Sequence, residues 1–129
     1  MNDILDRLIV KYGNHKEQTL IISDDCANPY GAKLKATALT NLAFHGCHLN
    51  LSSWILTQKY NAVVKDFREN IKMLMLFYDK DGELHDAAFK ENDIGISASD
   101  KEGILDILKS NKSTKMIMRL VQPFDWQIL

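Results

Sequence analysis

Three apolar runs of strand length, TLIIS at residues 19–23, LNLSSWILT at 49–57 and IKMLMLFY at 71–78, are separated by segments whose apolar residues recur at helical spacing. Strands alternating with helices predict an α/β domain built on a mostly parallel sheet. Ile4, Leu5, Leu8, Ile9 and Tyr12 trace a first helix over residues 2–12, with Asn2 as its cap and Gly13 closing it. Leu34, Ala38, Leu39, Leu42 and Ala43 mark a second helix that Gly46 stops. Val63, Val64 and Phe67 suggest a short helical turn, and residues 83–91 a further helix after the DKDG turn. Ser99 and Glu102 read as a capping box ahead of Ile104, Leu105, Ile107 and Leu108. A last strand at 115–121 leads to Pro123 and to FDWQIL, which is expected to pair back as an edge strand or hairpin.

Functional groups in a parallel α/β sheet gather at the carboxyl ends of the strands. Two places are singled out by that rule: Asp24–Asp25 after the first strand and Thr57–Gln58 after the second. Adjacent carboxylates beside a dry core are costly unless something pairs with them, and a metal ion is one such partner. The alternative is a strand running into a solvated Asp-rich turn, with Asp25 capping the segment after it.

Charge and composition narrow the classes. The chain carries 16 basic and 17 acidic side chains, so no global basic field marks it for nucleic acid. Its 129 residues suit one small domain with a real core. No apolar run is long enough to span a bilayer, and no signal-peptide pattern opens the chain. Cys26 and Cys47 make no disulfide framework, which points to a reducing, intracellular setting.

Four motifs in order, LIISDD, HLN, TQ and FREN, carry a resemblance. Together they resemble the second half of an FtsK/HerA-type P-loop ATPase, and most of all the poxvirus-type DNA-packaging ATPases of large DNA viruses and of Maverick/Polinton elements. The likeness covers roughly residues 1–78, with the C-terminal strand and PFDW as a looser extension. It implies a partial P-loop domain over residues 1–129, holding the Walker B and sensor half. It also implies ATP and Mg²⁺ as cofactors, a ring oligomer of hexamer type, DNA as the translocated partner, and a host nucleus or cytoplasmic virus factory as location.

By that resemblance Asp24 is the Walker B acid that holds Mg²⁺, usually through water. Asp25 stands where many relatives have a glutamate that polarises the attacking water, and the packaging branch often has Asp-Asp. Being shorter, it needs the water closer or bridged. Thr57 and Gln58 resemble the polar pair that meets the nucleotide, with Gln58 sensing the γ-phosphate. Arg68 resembles an arginine finger acting across a subunit interface. Read from the residues alone, Arg68 is as well a helix-end arginine paired with Asp66 or Glu69.

One departure is large. No G-x-x-x-x-G-K-[ST] occurs in the chain, so the backbone cradle and lysine that hold the phosphates are absent from it. The family places that strand and helix ahead of the segment that starts here, so a truncated chain, a partial gene product or a degenerate relative is expected. Relatives also tend to carry a basic residue where Cys47 precedes His48.

Other constellations are weaker. His45, Cys47 and His48 offer Zn²⁺ donors by type but lack paired C-x-x-C spacing. Placing Gly82 at the invariant glycine of an EF-hand puts Phe77 and Ala88 at ligand positions, so a plain turn is expected instead. Ser52 and Ser53 lie within a strand and have no nucleophile elbow around them. Met73, Met75, Met116 and Met118 alternate along strands and are expected in the core. Lys59, Lys65 and Arg68, interleaved with Tyr60 and Phe67, could follow a DNA backbone, or could form a solvated loop. Two functions from different classes therefore stand: the Mg²⁺-and-sensor half of a packaging ATPase, and a noncatalytic α/β interaction domain that derives from or resembles one.

Overall fold

The computed structural model describes residues 2–13, 16–24, 32–80, 82–92 and 95–129. The chain divides into two compact units, residues 1–70 and 71–129.

The first unit runs α1 (Asn2–Tyr12), β1 (Thr19–Ser23), α2 (Ala32–His45), a 3-10 turn (Gly46–Leu49), β2 (Leu51–Ile55), a second 3-10 turn (Tyr60–Ala62) and α3 (Lys65–Arg68). β1 and β2 pair in parallel, with Thr19 opposite Leu51 and Ser23 opposite Ile55. The ladder continues past both ends, from Thr19 N–H to the Asn50 carbonyl (3.0 Å) and from Leu56 N–H to the Ser23 carbonyl (2.9 Å). Strand side chains alternate between faces. Ile21 and Leu51 accordingly join Leu42 in a buried cluster, with Ile9, Tyr12 and Leu49 packed against it. The opposite face carries Leu20, Ile22 and Trp54, all exposed. Gly13 permits the close pass of the chain out of α1: its N–H donates to the Ile9 carbonyl at 2.8 Å. A Cβ there would lie 2.5 Å from that same oxygen and 3.1 Å from Leu49 Cδ1.

The second unit contains β3 (Met73–Phe77), α4 (Glu83–Glu91), α5 (Ala98–Ser110), β4 (Lys115–Arg119) and β5 (Asp125–Ile128). Its sheet has the order β3-β4-β5, and both pairings are antiparallel. α5 packs on β4. Leu76, Ala88, Phe89, Ile104, Leu108, Met116 and Met118 are buried.

The α/β class holds, as do the flanking helices and the C-terminal edge strand, and the arrangement is compatible with part of a P-loop fold. The expectation of a mostly parallel sheet with 71–78 beside 19–23 and 49–57 needs correction. Parallel pairing among the described residues is confined to β1 and β2, while β3 pairs with β4. The connection explains the direction. A single crossover helix reverses the chain twice and returns the next strand parallel, whereas a second helix, α5 after α4, adds a third reversal and brings β4 back antiparallel to β3.

Smaller corrections come from local chemistry. The capping box of α5 is formed by Ser97 and Asp100, not Ser99 and Glu102: Asp100 N–H donates to Ser97 Oγ (3.1 Å) and Ser97 N–H to Asp100 Oδ2 (3.3 Å). The acid at the third helical position can therefore be the shorter Asp. Met116 and Met118 are fully buried, as expected of core residues, but Met73 and Met75 are exposed. Register decides this, because Leu74 and Leu76 face Met118 and Met116 on the covered side and so leave Met73 and Met75 on the other.

Leu108 is completely buried on α5. Leu108→Ala is expected to destabilise residues 71–129 by about 2–5 kcal/mol through lost burial and the cavity left behind. Urea unfolding read in that unit checks it, and a loss well under about 1 kcal/mol would show the site to be loosely packed.

Candidate functional site

The parallel register of β1 and β2 sets the site, since parallel strands end on the same side. Asp24 comes directly after the last residue of β1 and is exposed. Across from it, Leu56 closes the ladder onto Ser23, and Thr57 and Gln58 come next. Asp24 and Gln58 thus both follow the carboxyl ends of this parallel pair. Asp25 lies outside the described residues, as do Cys26 and Gly31.

The chain bends sharply as it leaves this edge. Thr57 Oγ1 accepts from Lys59 N–H at 3.2 Å and stands 3.1 Å from the Lys59 carbonyl, to which it can donate. This closed turn of hydroxyl on backbone holds Thr57 and leaves Gln58 at its exposed tip. Beyond the turn, Tyr60, Val63 and Phe67 are buried and anchor the loop and α3 to the unit.

Arg68 is held by that anchored loop. Its Nη1 donates to Asn61 Oδ1 at 3.4 Å, and its guanidinium carbon lies 5.0 Å from the centre of the Tyr60 ring. Such a cation–π contact contributes about 0.5–2 kcal/mol, more as water is excluded. Glu69, one of the two partners considered for Arg68, instead pairs with Lys65 at 3.4 Å. Both ends of that pair are largely exposed, so it adds little stability. The structure therefore ties Arg68 to the loop that comes after β2, the loop that also carries Gln58.

Sequence spacing gives no sign of Asn61 and Tyr60 as partners of Arg68. They lie seven and eight residues before it, across a loop whose path no sequence period reports. Burial also revises the idea of aromatic stacking beside Lys59, Lys65 and Arg68. Tyr60 and Phe67 are 5% and 7% exposed, so neither offers a face on which a base could stack.

As a cation site, the edge offers the carboxylate of Asp24, an exposed residue. This is the hard donor type that Mg²⁺ accepts, usually alongside water and phosphate oxygens. Among the described residues, no group of three or more His, Cys, Asp or Glu side chains could hold a metal ion by itself. His45, from the Zn²⁺ candidates, is exposed and its Nδ1 lies 3.1 Å from the Asn41 carbonyl of its own helix.

Comparison with known families identifies the family of the chain. The family model described as "Poxvirus A32 protein" matches residues 1–123. The chain belongs to the poxvirus A32 protein family. The match spans both structural units and extends well past the region that carries the four motifs. At family level it supports a viral protein related to the packaging ATPases, a family of ATP-dependent enzymes. No curated protein and no solved structure matches the chain. None of the described helices is long and apolar enough to cross a membrane.

Proposed function

We propose that this A32-family chain supplies the Walker B and sensor half of a DNA-packaging ATPase, in which ATP hydrolysis drives DNA through a ring of identical subunits. The observation that carries the proposal is the parallel pairing of β1 and β2, which assigns Asp24 and Gln58 to one strand-end edge. Asp24 holds Mg²⁺ through water, and Asp25 accepts the proton of the attacking water. Gln58, at the exposed tip of the Thr57–Lys59 turn, reads the γ-phosphate. Arg68 supplies positive charge to the phosphoryl group of a neighbouring subunit, its guanidinium pre-oriented by Tyr60 and Asn61. The host nucleus or a cytoplasmic virus factory is the setting this activity requires.

A noncatalytic α/β interaction domain is the competing reading, favoured by the absence of a Walker A sequence from these residues. Joining the chain behind a Walker A-bearing segment from the same family separates the two. The proposal expects DNA-stimulated ATP hydrolysis that Arg68→Ala removes. Mixing Arg68→Ala subunits with subunits that carry Asp25→Asn and keep Arg68 should restore part of it, because one intact composite site forms between them. A joined protein that folds, binds ATP and shows no hydrolysis would favour the interaction domain.

A further inference from the structure

His85 is the sole histidine between residues 71 and 129, and it lies in the first turn of α4. Its side chain is fully buried, and neither Nδ1 nor Nε2 has a hydrogen-bond partner among the described residues. Buried polar groups are nearly always satisfied, so an imidazole sealed away with both nitrogens unpartnered calls for an explanation. A neutral ring in such a place behaves largely as an aromatic filler. An imidazolium carries two donors and a charge, and among the described residues neither nitrogen meets an acceptor in hydrogen-bond geometry.

The groups around it come from four elements. On α4 itself, the Phe89 ring lies one turn on, with centroids 6.3 Å apart and planes tilted by 36°, and Asp86 is the next residue. From the end of β3, the Phe77 backbone approaches the ring, short of hydrogen-bond geometry. From the loop after β3 comes Asp79, whose Oδ2 accepts from Leu84 N–H at 3.3 Å at the start of α4. From α5, Lys101 Nζ sits 5.7 Å from the centre of the Phe89 ring.

We propose that His85 is an acid-sensitive switch: neutral, it seals α4 against the end of β3, and its protonation loosens these two elements. Burial lowers the His85 pKa from the ordinary histidine value. The Phe77 backbone and the Asp79 and Asp86 carboxylates act in the opposite direction without overcoming it. Linkage gives the sign. The unfolded chain takes up the proton near the ordinary value of about 6.5, before the folded one does. Stability of residues 71–129 is therefore complete above that pH, is lost as pH falls from there towards the lowered folded value, and levels off below it.

The test uses the 129-residue chain itself. Amide hydrogen exchange of residues 71–129, expressed as protection factors, is measured from about pH 7.5 to about pH 5.5, where His85 is the one side chain of that unit with an ordinary pKa in range. Protection of α4 and β3 is expected to fall by about tenfold for each unit by which the pKa is lowered, within the part of that shift the pH range covers. His85→Gln and His85→Leu should abolish the dependence, whatever their absolute stability. Should both variants fail to fold, NMR titration of the wild-type ring decides: His85 should protonate below the ordinary histidine value of about 6.5. Protection that is flat with pH, variants that keep the dependence, or a His85 ring titrating at or above that ordinary value would each overturn the proposal.

Discussion

Asp25→Asn, placed in a protein that joins these residues to a Walker A-bearing segment, is expected to cut ATP turnover by about 10²–10⁴-fold while sparing nucleotide binding. Asn and Asp are nearly isosteric, so the substitution changes side-chain shape little. It removes the negative charge that polarises a water and accepts its proton, a role exercised only as the water attacks. An interaction made only in the transition state lowers kcat when removed and leaves ground-state affinity alone. Steady-state hydrolysis, set against binding of a non-hydrolysable ATP analogue, reads the two effects separately. Full turnover in the Asp25→Asn protein would dispose of the mechanism, and loss of both turnover and binding would move Asp25 from water activation to holding the nucleotide.

The isolated 129 residues, by contrast, are expected to bind ATP without measurable tightness. A triphosphate in a P-loop site is held by backbone N–H groups and a lysine, and no G-x-x-x-x-G-K-[ST] stands in this sequence to supply them. Hydrogen bonds to charged groups are worth about 1.5–3 kcal/mol each. Each ~1.4 kcal/mol is about tenfold in affinity, so losing only two or three such bonds removes several orders of magnitude. The acidic edge at Asp24 and the amide of Gln58 would remain, and they suffice at most for weak, Mg²⁺-dependent association. Isothermal titration with Mg²⁺ and ATP tests this. A dissociation constant in the micromolar range or tighter would require a phosphate cradle made by residues other than a P-loop.

The candidate site was legible to the extent that its chemistry is local. Asp24 stands at a strand end because an apolar run stops there, and Gln58 because LNLSSWILT stops just before it; both come from reading where hydrophobicity ceases. The parallel direction of β1 and β2 was likewise legible, since the intervening segment has the length and period of one crossover helix. Arg68 was only half legible. Its charge and its place at a helix end can be read off FREN, but the Tyr60 ring and the Asn61 amide reach it across a loop closed by buried Tyr60, Val63 and Phe67. That closure is a packing event between residues that no periodic pattern links.

Residue type along short runs was enough to set the element types, the strand-end position of the acidic and amide groups, and the family to which the chain belongs. Which strands share a sheet, and which side chains share a core, was settled by packing in three dimensions. The run at 71–78 looks as suited to a parallel sheet as the other two, because hydrophobicity specifies burial without specifying a partner. It pairs antiparallel with β4 because two helices, not one, bring the chain back. The four strand methionines are alike in the sequence, yet register buries Met116 and Met118 and exposes Met73 and Met75. His85 shows the same limit: a polar residue early in α4 reads as a solvated position, and only packing against Phe89 and the end of β3 makes it a buried base with no hydrogen-bond partner among the described residues.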